Sequence, residues 1–177
     1  LCLVLLSSYS YSEDVSYEVP SHRLIKNGGM TFEIGLNNPF TGVSIQYHEN
    51  GQPEEKKHYK NGKEVKSTIF DYYDNGQLSS KGNVINGKPD GPYESYFKNG
   101  QLVYRQNYKD GKVHGLYEEY FETGQLQFRS NYKDGEQDGL HEIYHENDRL
   151  SLRGNYKNGK EDGLWEGFHD NGQLMRR

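Results

Sequence analysis

The sequence has almost no cysteine and few apolar residues. Cys2 is the only cysteine among the 177 residues. It lies in a segment that we expect to be removed, so the mature chain is predicted to hold no disulfide and to carry out no thiol chemistry. Hydrophobic residues make up 32% of the chain, and the mean hydropathy is −1.08. Disordered chains share such values but are poor in aromatic residues. The chain, however, contains 16 Tyr, 7 Phe and 1 Trp. It is therefore predicted to be folded, as a thin sheet with both faces exposed to solvent.

Charge and the lack of long hydrophobic runs disfavour two classes of partner. The net charge of −5 opposes the electrostatic attraction on which general binding to phosphate backbones and anionic lipids depends. The apolar run Leu1–Leu6 is far too short to span a bilayer. We therefore expect no nucleic-acid partner, and no membrane association beyond this first segment.

The first twelve residues have the pattern of the end of a secretory signal peptide. Small polar residues follow the apolar run, and Ser10-Tyr11-Ser12 provides a small-x-small cleavage pattern. Residues 1–12 are therefore predicted to be a signal-peptide remnant of a protein exported to the periplasm, the cell envelope or the medium. A buried N-terminal strand is the alternative interpretation.

One short phrase recurs along the rest of the chain, most often as Asn-Gly-Gln. Its glycine position recurs every 24 residues, at Gly76, Gly100, Gly124, Asp148 and Gly172. A fixed short period indicates a stack of similar units in which each unit contacts its neighbours and no deep core forms. A catalytic constellation is unique whereas a repeat is not, so we expect neither enzyme activity nor a cofactor.

Each repeat contains two β-prone runs and two turn signals. Asn-Gly and Asp-Gly suit two-residue hairpin turns, in which both central residues need a positive φ. Connections this short make neighbouring strands antiparallel. The sequence thus predicts an all-β fold, an elongated open antiparallel meander of about six 24-residue hairpins over residues 42–177. Residues 13–41 are predicted to form an N-terminal segment with one or more capping strands.

A two-residue turn also predicts the register of each hairpin. If Asn99 and Gly100 form the turn, Glu94 lies opposite Arg105 and Phe97 lies opposite Leu102. The repeat extends the charge pairs to Glu118–Arg129, Glu142–Arg153 and Glu166–Arg177, and the second pair to Phe121–Leu126. Opposite charges facing each other across two strands contribute roughly 0.2–1 kcal/mol per pair. Across the second series of turns, the predicted facing pairs are Tyr104–Tyr117, Phe128–His141 and Leu152–Trp165.

This register gives the sheet one face with a Glu–Arg ladder and one that is more apolar and aromatic. Positions that stay constant between repeats are explained by packing, whereas positions that vary are available for binding. The candidate binding residues are Tyr93, Phe97, Tyr117, Phe121, His141 and Trp165. The alternative is that these side chains only cover the apolar face of the sheet.

A zinc-protease motif, His-Glu-x-x-His, is present at His141–His145. That chemistry needs a helix, on which the two histidines converge on one metal ion. The segment aligns with strand runs of the other repeats, and four residues of strand span about 13 Å. We therefore predict no metal site.

The recurring pattern Gly-Leu-Tyr/Trp-Glu, Asn-Gly-Gln-Leu and Asn-Tyr-Lys-Asp/Asn-Gly resembles the variant MORN repeat (membrane occupation and recognition nexus). More closely, it resembles the bacterial MORN-variant antitoxin family, and the resemblance covers about Leu24 to Arg177. The resemblance implies an elongated β meander curved into a groove, without catalytic residues. It also implies a scaffold that binds a protein, antitoxin-like or immunity-like, with a toxin or effector as partner.

Two other functions are alternatives to protein binding. Aromatic rows on β-repeats can stack on sugar rings, so an exported protein that binds carbohydrate or another cell-envelope polymer is the second hypothesis. Lipid association is the third, and the negative net charge opposes a charge-driven form of it.

Overall fold

The computed structural model describes residues 17–177, so the signal-peptide prediction for residues 1–12 lies outside the described residues. Strands and short turns make up almost all of this part, and its one helix is a 3₁₀ turn at Ser21–Arg23. No helix within it is long and apolar enough to cross a bilayer. The strands are β1 (Glu18–Pro20), β2 (Leu24–Asn27), β3 (Met30–Glu33), β4 (Gly42–Tyr47), β5 (Pro53–Lys60), β6 (Lys63–Tyr72), β7 (Leu78–Ile85), β8 (Lys88–Tyr96), β9 (Leu102–Lys109), β10 (Lys112–Val113), β11 (Gly115–Tyr120), β12 (Leu126–Lys133), β13 (Glu136–Tyr144), β14 (Leu150–Lys157), β15 (Lys160–Phe168) and β16 (Leu174–Arg176).

Fourteen of these strands form one open sheet. From β4 onward the strands follow each other in chain order as an antiparallel series. The two-residue strand β10 pairs with β9 alone, and β11 is the next full strand beside β9. The predicted fold class, an all-β meander of hairpin repeats, is confirmed. The exception to the meander is β1, which pairs in parallel with β4 at the first edge of the sheet.

The apolar core lies at the N-terminal end of the sheet. Val19, Phe40 and Tyr59 form a buried cluster, and Leu24 packs against it. The separate hairpin β2–β3 is tied to the sheet by backbone hydrogen bonds, including one of 2.8 Å from the Thr31 N–H to the carbonyl oxygen of Gly62. This end of the sheet therefore has an apolar core, as an ordinary small domain does. The buried residues of the later repeats are mainly polar, among them Gln106, Glu118, Ser130, His141, Glu142 and Glu166.

The first series of turns is wider than predicted. The Phe97 N–H donates to the carbonyl oxygen of Gln101 at 2.7 Å, and the Gly100 N–H donates to that of Phe97 at 2.9 Å. The loop therefore contains three residues, and Gly100 has a positive φ of 84° whereas Asn99 does not. The two-residue turn predicted at Asn99-Gly100 is wrong.

A compensating bulge restores the predicted register of the charged residues. Tyr96, not Phe97, pairs with Leu102, and the register then shifts so that Glu94 lies opposite Arg105. The bulge leaves one extra residue on the second strand of each hairpin, which offsets the extra loop residue. The predicted facing pairs Phe97–Leu102 and Phe121–Leu126 are therefore wrong, and Tyr120 is the residue that pairs with Leu126.

The second series of turns has the two-residue geometry. Asn86 has a φ of 51° and Gly87 has a φ of 75°, and both residues of Asp110-Gly111 are likewise positive. Asn, Asp and Gly tolerate this left-handed region better than other residues do, which explains why they alternate at these sites.

A larger irregularity follows the second-series turns from Asn86-Gly87 onward, whereas after Asn61-Gly62 the register shifts by one residue only. Tyr132 pairs with Gln137, but Ser130 pairs with His141, so three residues of β13 oppose the single residue Asn131. Gly139, within the longer segment, has a φ of 116°. The register consequently shifts by two, and a shift of two keeps every side chain on its face. The direct pairs predicted for Tyr104–Tyr117, Phe128–His141 and Leu152–Trp165 are wrong, because Glu119, Ile143 and Gly167 take those places.

Asp148 is the turn residue whose replacement we expect to stabilise the fold. It has a φ of 62° at the position where other repeats place glycine. Glycine adopts this conformation without steric cost, so Asp148→Gly should raise the free energy of unfolding by about 0.5–1 kcal/mol, measured by urea denaturation. Thr123→Gly is the matched control, because Thr123 precedes its turn glycine and has no positive φ; it should lower stability. A loss of stability in Asp148→Gly would contradict the expectation.

Candidate functional site

Nine rings cover one side of the sheet, which we call the aromatic face. They form one row of Tyr93, Tyr104, Tyr117, Phe128, His141 and Trp165, and a second row of Tyr108, Tyr132 and Tyr156. Ring centroids of Tyr93 and Tyr104, and of Tyr104 and Tyr117, are 5.8 Å apart with an interplanar angle of 17°. Rings of the second row meet the first edge-on or tilted. Most ring faces are therefore turned towards other rings of the same sheet.

Glycines inside two strands make room for the largest rings. A Cβ added to Gly154 would lie 2.2 Å from the Trp165 ring, and one added to Gly82 would lie 2.6 Å from the Tyr93 ring. Ser130, in the same row across the sheet, is fully buried. Sequence reasoning missed these small residues, although a glycine within a strand pattern is a known signal of close approach.

Burial shifts the titration of several groups on the aromatic face. It raises the pKa of Tyr104 to about 12, with a smaller contribution from Tyr93, and it raises the pKa of Tyr117, which also lies beside the Glu119 carboxylate. It lowers the pKa of His141. The Tyr104 and Tyr117 hydroxyl groups and the His141 ring are therefore uncharged at neutral pH.

The six candidate binding residues do not lie together. Tyr93, Tyr117, His141 and Trp165 belong to the first aromatic row. Phe97 and Phe121 lie at the first-series turns instead, at the ends of the strands. At equivalent positions, the Tyr73 hydroxyl donates to the carbonyl oxygen of Tyr96 at 2.6 Å, and His145 Nε2 lies 3.1 Å from that of Phe168. This turn position therefore connects one repeat to the next.

The opposite side, which we call the charged face, carries the Glu–Arg ladder. Glu94, Glu118 and Glu142 lie opposite Arg105, Arg129 and Arg153 within their hairpins. The close ion pairs, however, connect one hairpin to the next: Arg105 with Glu118, Arg129 with Glu142, and Arg153 with Glu166 at 2.7 Å. Glu166 also accepts a hydrogen bond from Arg177 Nε at 3.0 Å. Glu166–Arg177 is therefore the one pair predicted within a hairpin that forms a close contact. Hydrogen bonds from Arg153 and Arg177 lower the pKa of Glu166.

The two charges of each pair differ in exposure. Side-chain exposure is 53%, 39% and 51% for Arg105, Arg129 and Arg153, but only 10–11% for their glutamate partners. Tyr144 donates to the Glu142 carboxylate at 2.8 Å, and the Arg129 guanidinium lies 5.9 Å from the Tyr144 ring centroid. Each carboxylate is thus covered, and the arginines form the charged groups that face the solvent.

The His-Glu-x-x-His segment does not form a metal site. His141 and Glu142 lie in β13 and are directed to opposite faces, since His141 contacts the aromatic row and Glu142 the ladder. In residues 17–177, no three His, Cys, Asp or Glu side chains are grouped as metal ligands would be.

His141 should make stability depend on pH. Its pKa in the folded state is lowered by burial, so the unfolded chain binds a proton more readily. Stability should be complete above the ordinary histidine pKa of about 6.5 and should fall as the pH drops below it. We expect His141→Tyr, which copies Tyr93 and Tyr117, to reduce this loss in urea titrations between neutral and acidic pH. His169→Gln, at an exposed turn, is the control and should keep the wild-type pH profile; an unchanged profile in His141→Tyr would count against the assignment.

Double-mutant cycles should reveal which glutamate is energetically coupled to each arginine. We expect a coupling free energy of about 1–2 kcal/mol between Arg129 and Glu142, because the carboxylate is largely buried. Coupling between Arg129 and Glu118, which face each other within a hairpin, should be below about 0.5 kcal/mol. Glutamine substitutions and thermal unfolding provide the measurement, and equal couplings would refute the inter-hairpin ladder.

Comparisons with known proteins agree with the repeat geometry. The family model described as MORN repeat variant matches residues 40–61, 68–86, 89–110, 113–134, 137–158 and 161–177. No curated protein sequence matches the chain. Among solved structures, a crystal structure of a mutant of S. aureus TarM in complex with fondaparinux, alpha-GlcNAc-glycerol and UDP is similar at 11% identity and a TM-score of 0.33. That match covers 66% of this chain and 21% of TarM, so the chain spans about a fifth of TarM's length.

Each of the six family matches falls on part of the hairpin array, and together they cover more than half of the sequence. The chain belongs to the MORN repeat variant family.

Proposed function

We propose that this repeat scaffold is not an enzyme and that it binds a protein partner along its charged face. The observation that carries the proposal is the difference in exposure within the ladder, where the arginines are 39–53% exposed above glutamates that are 10–11% exposed. Arginine is enriched in protein interfaces and among their energetically dominant residues. Here the carboxylates hold the guanidinium groups in place before binding, which reduces the entropy lost when a partner arrives.

Exposed apolar side chains next to the ladder support the same surface. Leu116, Leu140 and Leu164 are 38%, 36% and 59% exposed, and each lies two residues before a ladder glutamate on the same face. A protein interface combines apolar contact with a charged or polar surround. The charged face offers both in every one of these repeats.

The aromatic face supports the carbohydrate alternative less well. Stacking on sugars needs ring faces that are open to solvent, and the Tyr93, Tyr104 and Tyr117 rings are stacked on one another. We therefore assign these rings, together with His141 and Trp165, mainly to covering the sheet. Binding to a glycan array that is lost in Trp165→Ala would favour the alternative.

The partner we propose is a toxin or effector, and the family resemblance is the support for this step. We also propose that the protein is exported, on the basis of the apolar run and the small-x-small pattern in residues 1–12. An immunity function outside the cytoplasm is consistent with both proposals.

Site-specific photo-crosslinking in the native cell tests the proposal. A photoreactive amino acid at Leu140 should capture one reproducible protein, because this position lies in the charged face. The same residue at Glu161, an exposed position that pairs with Tyr156 of the aromatic face, is the control and should capture it weakly or not at all. No discrete protein at either Leu116 or Leu140 would remove the charged face from consideration.

A further inference from the structure

The charged face contains clefts that repeat with the hairpins. One, of about 270 Å³, is lined by Pro92, Glu94, Arg105, Asn107, Leu116 and Glu118. The preceding one, of about 350 Å³, is lined by Thr68, Phe70, Lys81, Asn83, Pro92 and Glu94. The two clefts share the wall formed by Pro92 and Glu94. In both, a basic residue and an asparagine lie between two walls that come from neighbouring hairpins.

The same residue types continue in the next repeats. Leu116 pairs with Asn131, and Leu140 pairs with Asn155, as Pro92 pairs with Asn107. Arg129 and Arg153 lie two residues before these asparagines. The charged face therefore presents a linear series of sites, each with one cation, one amide and an apolar wall.

The spacing of the sites selects among extended ligands. Each repeat adds two strands, so successive sites are about 9.6 Å apart. A polyproline II helix has three residues per turn and a rise of about 3.1 Å per residue, which is about 9.3 Å per turn. A β-strand ligand would repeat every two residues, at about 6.8 Å, and an α-helix every 5.4 Å or so. Only the first of these three stays in step with the repeats over several sites.

The charge of the sites selects the residue that recurs. The exposed group in three of the sites is Arg105, Arg129 or Arg153, with the glutamates covered beneath. In the cleft that precedes them it is Lys81, which pairs with the less covered Glu94 at 2.7 Å. The complement of these cations is a carboxylate once per turn. A polyproline II helix has no internal hydrogen bonds, so its carbonyl groups are free to accept from Asn107, Asn131 and Asn155. Its prolines would contact the Pro92 and Leu116 walls.

We infer that the charged face binds an acidic polyproline II segment of its partner, with Asp or Glu at every third position and one turn of the segment per repeat. This inference rests on the proposed function, since it specifies the partner segment for the same surface.

Fluorescence anisotropy with a labelled peptide of four Glu-Pro-Pro units tests the inference on the full chain. Saturable binding that weakens with added salt is expected. A peptide of the same composition, with its glutamates contiguous at one end, should bind at least about tenfold more weakly, which corresponds to about 1.4 kcal/mol. A peptide of Lys-Pro-Pro units should not bind.

Asparagine variants connect the binding to the proposed sites. Asn131→Asp places a carboxylate beside Arg129 and should weaken peptide binding about tenfold. Asn158→Asp is the matched control, because Asp110 and Asp134 occupy its equivalent positions in other repeats, and it should bind as the wild type does. Asn107→Asp provides a second test if thermal unfolding shows that Asn131→Asp is poorly folded.

Several outcomes would overturn the inference: no saturable binding, equal binding of the contiguous-glutamate peptide, or equal effects of Asn131→Asp and Asn158→Asp. Binding of an oligosaccharide of uronic acids in place of the peptide would also overturn it. A protein crosslinked at Leu140 together with a negative peptide result would leave the proposed function standing and reject only the acidic polyproline II segment.

Discussion

The structure depends on one constraint: over most of its length the sheet has no second layer. Domains usually bury an apolar face against another sheet or a helix. Here each face is covered by its own side chains, which lie against neighbours in the next strand. Tyr104 is covered by Tyr93 and Tyr117, and Glu142 is covered by Arg129 and Tyr144. This arrangement explains a folded chain with only 32% hydrophobic residues.

The rows that begin at Tyr93 and Glu94 can be continuous only if the side chains stay on the same face through each later turn. A shift of one residue would exchange the aromatic and charged faces, whereas a shift of two would not. The hairpins meet this requirement in two ways. At the first-series turns a one-residue bulge offsets the third loop residue, and at the second-series turns from Asn86-Gly87 onward the register shifts by two. Rings and ion pairs therefore form continuous rows even though the connections differ.

The two faces consequently differ in what they offer to other molecules. Rings on the aromatic face contact mainly one another, which favours stability over recognition. The charged face covers its carboxylates and exposes arginine, asparagine and leucine once per repeat. A regular surface of this kind suits a regular, extended ligand, because each added repeat extends the contact without new geometry. The spacing of the repeats in the scaffold thus matches the rise per turn of the proposed polyproline II segment.

The order of residues alone was enough to establish the 24-residue period, the hairpins and the positions of Glu94 opposite Arg105 and its equivalents, because turn chemistry and strand alternation are local properties. It could not establish the three-residue loop at Asn99-Gly100, since Asn-Gly suits several turns and the compensating bulge leaves the same register. Nor could it show that Arg129 reaches Glu142 across hairpins or that Gly154 makes room for Trp165. Those contacts depend on how neighbouring hairpins are offset, and that offset follows from the packing of the whole sheet.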